Sequence, residues 1–258
     1  MINKTNTIYR IKKLLNMIIT GKKAVDDYDW KYYADLYREG LKDVAKDHTL
    51  ELKVGDYKFD NGHLVLQNDV YPLHPNYHII YETILQLNPD SVMEIGCGCG
   101  DHLHNISVLS PHITLHGFDV SAGQIAFLKK RHPDLNAQVR QYDITINPQQ
   151  LDLQKVDLAY TQAVIMHIRK NHLNALTNLF NVAKKHIILM ENWKRHDFMN
   201  DMQNLFTENK LPWSNLYFYY RESEATKKPH VMIVSAQPLT QYPVLTDYKI
   251  LRDTVSNI

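Results

Sequence analysis

Short apolar runs alternate with amphipathic segments through the middle of the chain. Five runs have strand length, and all but the third lead into turn residues and then into apolar residues at helical spacing. They are residues 91–95, 113–118, 136–142, 156–160 and 186–190. Strands that alternate with helices build a parallel sheet that is covered on both faces. The pattern therefore predicts an α/β domain, and two more strands follow at 216–221 and 231–236.

The chain ahead of this domain predicts a separate extension over residues 1–70. Helical spacing of apolar residues predicts a helix over 29–44, and Asp60-Asn61-Gly62 between two strand-like runs predicts a hairpin, because Asn-Gly accepts positive φ angles. Residues 4–23 form a basic amphipathic segment that could pack on the domain, on another subunit or on an anionic surface. We expect residues 1–70 to be a lid or an oligomer contact, 71–237 the main domain and 238–258 a tail.

The first predicted strand leads into a turn with glycine at three alternate positions, Gly96, Gly98 and Gly100. A predicted helix follows the turn directly. Glycine lets the main chain come close to a ligand, and the N-terminus of a helix presents unpaired N–H groups. A strand, a turn and a helix arranged in this way predict a binding site.

The residues around the turn distinguish two classes of ligand. A dinucleotide fold has a small residue at the sixth position of G-x-G-x-x-G/A, where this chain has Asp101. Glu94, two residues before the first glycine, would repel a pyrophosphate and attract an amine. The pattern E-x-G-x-G-x-G closely resembles the first motif of the class I S-adenosylmethionine-dependent methyltransferases.

The resemblance extends over about residues 75–237 as motifs in order. It implies an α/β, Rossmann-like fold: a seven-stranded, mostly parallel sheet with helices on both faces and an antiparallel pair of strands at its end. The N-terminal helical and hairpin extension is not explained by it.

The resemblance also implies that S-adenosylmethionine is the cofactor. Glu94 corresponds to the acid that helps hold the methionine end of this molecule, which carries an ammonium group and a sulfonium. The turn supplies the neighbouring contacts, from Gly96, Cys97, Gly98 and Gly100.

Two acids further along the chain correspond to the ribose and adenine contacts. Asp119 ends the second strand, with Val120 beside it, and would accept from the ribose hydroxyls; its alternative role is a helix cap. Asp143 and the N–H of Ile144 follow the third strand and correspond to the adenine contacts; the alternative is a plain turn aspartate. Gln162 lies in the motif after the fourth strand and completes the predicted cofactor set.

Three residues are candidates for a general base, which is needed only if the acceptor is a hydroxyl or a protonated amine. His167 leads because it follows the fourth strand and has an ordinary pKa near neutrality. Tyr160 and Glu191 also stand at or near the carboxyl ends of strands, the edge that faces the ligand crevice. A role for His167 in packing or in bonding its loop is the alternative.

Composition narrows the choice of partner. A formal net charge of +1 leaves no global attraction to nucleic acid, so we expect a small-molecule acceptor, with a homo-oligomer possible through the extension. Cys97 and Cys99 are the only cysteines, which fits small buried fillers in a cytoplasmic protein better than a metal or redox site. We expect no metal and no membrane span.

The predicted function is methyl transfer to oxygen or nitrogen of a small polar metabolite or sugar. The alternatives are an accessory module that binds the cofactor without catalysis, an aminopropyltransferase of the same fold, and a dinucleotide oxidoreductase. Asp101 disfavours the last of these.

Overall fold

A seven-stranded sheet is the centre of the fold. The structure, a computed structural model, describes residues 51–70, 72–147, 154–224 and 227–253, so the predicted segments 4–23 and 29–44 lie outside it. The described strands are β1 (Tyr57–Asp60), β2 (His63–Leu66), β3 (Ser91–Ile95), β4 (Thr114–Asp119), β5 (Ala137–Gln141), β6 (Val156–Gln162), β7 (Ala183–Met190), β8 (Tyr217–Ser223) and β9 (Lys228–Ser235). The sheet has the order β5-β4-β3-β6-β7-β9-β8 and is parallel except at β9, which is antiparallel to both neighbours. The predicted Rossmann-like sheet is confirmed.

The helices fall between the strands as predicted, with small shifts at their ends. The described helices are α1 (Pro75–Leu87), α2 (Asp101–Leu109), α3 (Ala122–Arg131), α4 (His172–Val182), α5 (Phe198–Thr207) and α6 (Lys249–Arg252). The sequence predicts a helix over 79–87, but α1 begins at Pro75, because proline fits the first helical position, where no N–H is needed. The sequence also predicts a helix over 195–205, but α5 begins after Asp197, because the Asp197 side chain caps it.

The central strands are buried on both faces, which explains why they read as continuous apolar runs rather than as alternating ones. Two hydrophobic clusters, one with α4 and α5 and the other with α1, α2 and α3, contain buried residues of these strands. Strand β3 pairs with β4 on one side and with β6 on the other. The chain therefore changes direction across the sheet at β3, and ligands of open α/β sheets bind at the carboxyl ends of the strands at such a point.

The predicted hairpin, β1 and β2, packs against α1. Asn61 and Gly62 have φ angles of +50° and +83°, as expected for this turn. The N–H of Leu64 donates to Glu82 at 2.7 Å, and its carbonyl bonds to the ring of His78 at 2.8 Å. The hairpin is therefore fixed to the helix that precedes β3.

The segment after β9 also packs on the domain. Leu245, Tyr248 and Leu251 belong to the core cluster of α4 and α5, and the Tyr248 hydroxyl donates to the carbonyl oxygen of Trp193 at 2.9 Å. Among the described helices, none has the length and apolar character needed to cross a membrane.

Candidate active site

The glycine turn lies across the carboxyl ends of β3 and β4. The N–H groups of Gly96 and Cys97 both donate to the carbonyl of Phe118, at 2.7 and 2.9 Å. A β-carbon on Gly96 would lie 2.4 Å from Val164 Cγ2, whereas one on Gly98 would meet nothing within 4 Å. The turn therefore uses one glycine to pack against the loop after β6 and keeps another open toward a ligand.

Asp119 fastens the turn to the end of β4. Its Oδ2 accepts from the N–H of Gly98 at 2.9 Å and its Oδ1 from the N–H of Ser121 at 2.7 Å. Ser121, not Asp119, caps α3, by accepting from the N–H of Gln124 at 3.2 Å. Burial raises the pKa of Asp119, and the two main-chain bonds oppose that rise. The carboxylate remains at the pocket surface, where it could also accept from hydroxyls of a ligand.

An apolar pocket opens on the β4 side of the turn. The walls of this apolar pocket include Phe118, Val120, Tyr142, Ile144 and Ile168. The two predicted acids, Asp119 and Asp143, lie at its edge. Oδ1 of Asp143 accepts from both the N–H and the hydroxyl of Thr145, at 2.8 and 2.7 Å, so this residue also serves as the turn aspartate that the sequence left open. A flat apolar ring with polar edges suits a pocket of this kind.

A polar pocket adjoins the apolar one and shares Gly96, Asp119, Val164 and His167 with it. Its lining includes Glu94, Cys97, Gly98, Cys99, Gln124 and Gln162. Among the described residues that line the two pockets, none is lysine or arginine.

Three buried acceptor oxygens in the polar pocket have no hydrogen-bond partner within the described part of the chain. They are Oε2 of Glu94 and Oε1 of Gln124 and of Gln162. Burial, followed by the charges of Asp119 and Asp101, raises the pKa of Glu94 well above its usual value. A pocket of unpaired acceptors without a cationic side chain fits a ligand that carries donors and positive charge, and does not fit a pyrophosphate.

Asp101 is an ionised acid whose charge is partly balanced by the neighbouring Arg131. Its Oδ1 accepts from Arg131 at 2.6 Å and from His132 at 2.8 Å. Burial alone would raise the pKa of Asp101, but these bonds outweigh burial and lower it. Its Oδ2 accepts from the Cys99 thiol at 3.1 Å, so Asp101 also supports the glycine turn.

The far wall of the polar pocket comes from α1 and α2. The Tyr81 hydroxyl and His102 Nδ1 lie 2.7 Å apart, and the side-chain N–H₂ of Asn105 donates to the same hydroxyl at 3.1 Å. Burial lowers the pKa of His102 to about 4, so this ring is neutral at pH 7. Tyr77 completes the wall.

Glu191, the second candidate base, bonds to the loop after β6 rather than lining a pocket. Its Oε1 accepts from the hydroxyl of Thr161 at 2.6 Å and from the N–H groups of Val164 and Ile165 at 3.1 and 3.2 Å, and its Oε2 accepts from the N–H of Met166 at 2.9 Å. The carboxylate is 6% exposed and lines neither pocket. The structure thus places the carboxylate where it holds the loop after β6, away from both pockets.

The two other candidate bases differ in their access to the pockets. Tyr160 is fully buried within β6, and its hydroxyl lies beside Glu94 without a hydrogen bond of normal geometry, so it does not reach the ligand surface. His167 lies in a short 3-10 turn, Ile165–His167, and borders both pockets. Burial and the charge of Arg195 lower its pKa, so the ring is neutral at pH 7. Of the three, only His167 has the predicted access.

Three clusters among the described residues bring potential metal ligands together, and one of them, away from the pockets, contains two histidines. His172, His196 and Asp201 bring potential ligand atoms within 4.8 Å of one another. The two imidazole rings, however, stack with centroids 3.9 Å apart and an interplanar angle of 15°. Ligand lone pairs lie in the ring planes, so two stacked rings cannot both point at one ion. We assign the cluster to packing beside the loop after β6, where His196 bonds to the carbonyl of Ile168 at 3.0 Å.

A family model and several solved structures resemble this chain. A family model described as a methyltransferase domain matches residues 88–237, more than half of the chain. No curated protein sequence matches. Among solved structures, CalS10, an amino pentose methyltransferase from Micromonospora echinaspora involved in calicheamicin biosynthesis, is 11% identical, with a TM-score of 0.49, over 64% of this chain and 91% of that one. The plantazolicin methyltransferase BpumL is 15% identical, with a TM-score of 0.47, over 63% and 82% of the two chains.

Proposed function

Because this chain belongs to the methyltransferase-domain family and is a class I S-adenosylmethionine-dependent methyltransferase, we propose that it methylates oxygen or nitrogen of a small polar metabolite or sugar. The observation that carries the proposal is the polar pocket, which continues past the glycine turn to the polar wall of Tyr77, Tyr81 and His102. A polar acceptor of modest size suits such a wall, and the net charge of +1 gives no reason to expect a nucleic acid.

The residues present fit the cofactor. When bound, S-adenosylmethionine supplies a methyl group that the sulfonium has already activated. Glu94 would hold the ammonium end, Asp119 the ribose, and the apolar pocket with Asp143 and Ile144 the adenine. Gly96, Cys97, Gly98, Gly100, Val120 and Gln162 would provide the remaining contacts of the predicted set.

The chain itself then has two tasks. It must hold the acceptor beside the activated carbon with water excluded, because orientation supplies much of the rate of such a displacement. It must also take a proton if the acceptor is a hydroxyl or an ammonium. His167 borders both pockets and is neutral at pH 7, and a neutral imidazole can accept that proton.

We further propose that residues 71–237 form the catalytic domain, that residues 1–70 contribute a lid or an oligomer contact, and that 238–258 are a tail. The family match ends at residue 237, which supports the boundary between the catalytic domain and the tail. The docked hairpin supports a location of the extension close to α1.

Binding and turnover test the proposal separately. Calorimetry should detect binding of S-adenosylmethionine and S-adenosylhomocysteine but not of NAD. Release of S-adenosylhomocysteine should then be followed across a panel of sugars, amino sugars, and small hydroxylated or aminated metabolites. Tight cofactor binding without turnover on any of them, but with turnover on a protein or nucleic-acid acceptor, would overturn the choice of acceptor.

A further inference from the structure

Gln124 is a buried side chain that the cofactor motifs do not include. It is 5% exposed, lines the polar pocket, and its Oε1 has no hydrogen-bond partner among the described residues. Buried polar atoms in folded proteins are nearly always hydrogen-bonded, because an unmade bond costs free energy. An unpaired amide oxygen at a pocket surface therefore points to a partner on a ligand.

The position of Gln124 indicates which part of the ligand it faces. Asp119 accepts from the N–H of Ser121, and Ser121 in turn accepts from the N–H of Gln124, at 2.7 and 3.2 Å. Gln124 thus lies in the first turn of α3, directly after the short connection from Asp119, the predicted ribose ligand at the end of β4. Gln162 is the last residue of β6, and β6 and β4 lie on opposite sides of β3 in the sheet. The two unpaired amides therefore face different parts of one ligand.

The chemistry of the side chain agrees with a hydroxyl partner. An amide offers both a donor and an acceptor, and so does a ribose hydroxyl, whereas an ammonium only donates and is better matched by the carboxylate of Glu94. Both oxygens of Asp119 already accept from one main-chain N–H each. A second polar side chain beside Asp119 would share the recognition of a vicinal diol.

We propose that Gln124 is a cofactor-binding residue that hydrogen-bonds a ribose hydroxyl of S-adenosylmethionine beside Asp119. The proposal rests on the cofactor class of the family and not on the identity of the methyl acceptor.

The test pairs one substitution with two ligands in calorimetry of the full chain. Gln124→Met keeps the length of the side chain and removes both polar atoms. The ligands are S-adenosylhomocysteine and its analogue without the two ribose hydroxyls. We expect the variant to bind S-adenosylhomocysteine about three- to tenfold more weakly than the wild type, and to bind the dideoxy analogue as well as the wild type does. Gln203→Met, at an exposed position of α5, is the matched control and should change neither affinity.

Each outcome decides the proposal. A loss confined to the ligand with hydroxyls supports it, and binding of the dideoxy analogue by the same variant shows that the variant is folded. An equal loss for both ligands would place the amide elsewhere on the cofactor or in a purely structural role. Unchanged affinity for S-adenosylhomocysteine would remove Gln124 from the site.

Discussion

Replacement of Glu191 should separate a residue that shapes the active site from one that moves a proton. In the folded chain its carboxylate accepts four hydrogen bonds, one from Thr161 and three from the main chain of residues 164–166. These residues carry Val164 against the glycine turn and lead directly into His167. The position of Val164 and His167, which line both pockets, therefore depends on an acid that lines neither pocket.

The magnitude of the effect follows from these partners. In Glu191→Gln, the amide oxygen can keep the three partners of Oε1, but the N–H₂ group then faces the N–H of Met166. One buried donor without an acceptor costs about 1–3 kcal/mol, and removal of a buried charge offsets part of that loss. Glu191→Ala leaves all four donors without this acceptor, and we expect a loss of about 3–5 kcal/mol.

Stability and turnover should be measured on the same preparations. Urea unfolding gives the change in free energy, and the rate of S-adenosylhomocysteine release with an identified acceptor gives kcat as a function of pH. We expect kcat of Glu191→Gln to fall about 10- to 100-fold, since small misplacements of reacting groups have effects of that size, with an unchanged shape of the pH profile. Lys194→Ala, an exposed neighbour, is the control.

The result that would refute this reasoning is specific. If Glu191→Gln kept the stability of the wild type but lost the acid limb of its pH profile, then Glu191 would be the base after all. The pKa of Glu191 is raised by burial despite its hydrogen bonds, so its ionised form costs folding free energy. The wild type should accordingly lose stability from this group as the pH rises from the ordinary carboxyl pKa through the raised one, and Glu191→Gln should lack that loss.

Three further predictions concern the cofactor and the base. Gly96→Ala should destabilise the chain by about 1–3 kcal/mol more than Gly98→Ala in thermal unfolding, because only the first β-carbon would meet a side chain while both positions have positive φ. His167→Ala should remove the acid limb of the pH profile of kcat/KM. Arg195→Gln should shift that limb to higher pH, because the arginine charge helps lower the pKa of His167. An acid limb that stays in place in both variants would exclude His167 as the base. Binding of S-adenosylhomocysteine should release a proton from Glu94, whose pKa is raised in the free protein and should fall beside an ammonium. The binding enthalpy should then depend on the ionisation enthalpy of the buffer, and in Glu94→Gln it should not.

Most of the fold could be predicted because it depends on local patterns. Buried parallel strands are continuous apolar runs, and the helices between them have apolar residues at helical spacing. Errors are confined to the ends, where a single cap or proline decides the boundary, as at Pro75 and Asp197. The sequence also carries a pattern that predicts the docking of the tail. Large apolar or aromatic residues recur there at every third position, and all of them are buried: Tyr242, Leu245, Tyr248 and Leu251.

The candidate site was less predictable where its contacts are distant in sequence. Asp119 and the glycines could be found because their spacing is fixed by a strand and a turn. The hydrogen bonds of Glu191 could not be predicted, because three of its four partners are main-chain N–H groups 25 to 27 residues earlier. Such groups have no sequence signature. Gln124 was missed for a related reason, since a glutamine in the first turn of a helix is ordinary until its oxygen proves to be buried without a partner.

The arrangement of these contacts separates what fixes the cofactor from what selects the acceptor. Gly96 packs against Val164, Asp119 holds Gly98, and Glu191 holds the loop after β6, so the turn and that loop form one unit. A substitution at Val164 should therefore disturb cofactor binding and turnover together. The side chains of the polar wall from α1 and α2 bond to one another, as Tyr81 does to His102 and Asn105. If the acceptor lies against that wall, as we propose, variation there should change the acceptor without changing cofactor binding, and the glycine motif then identifies the methyl donor and not its recipient.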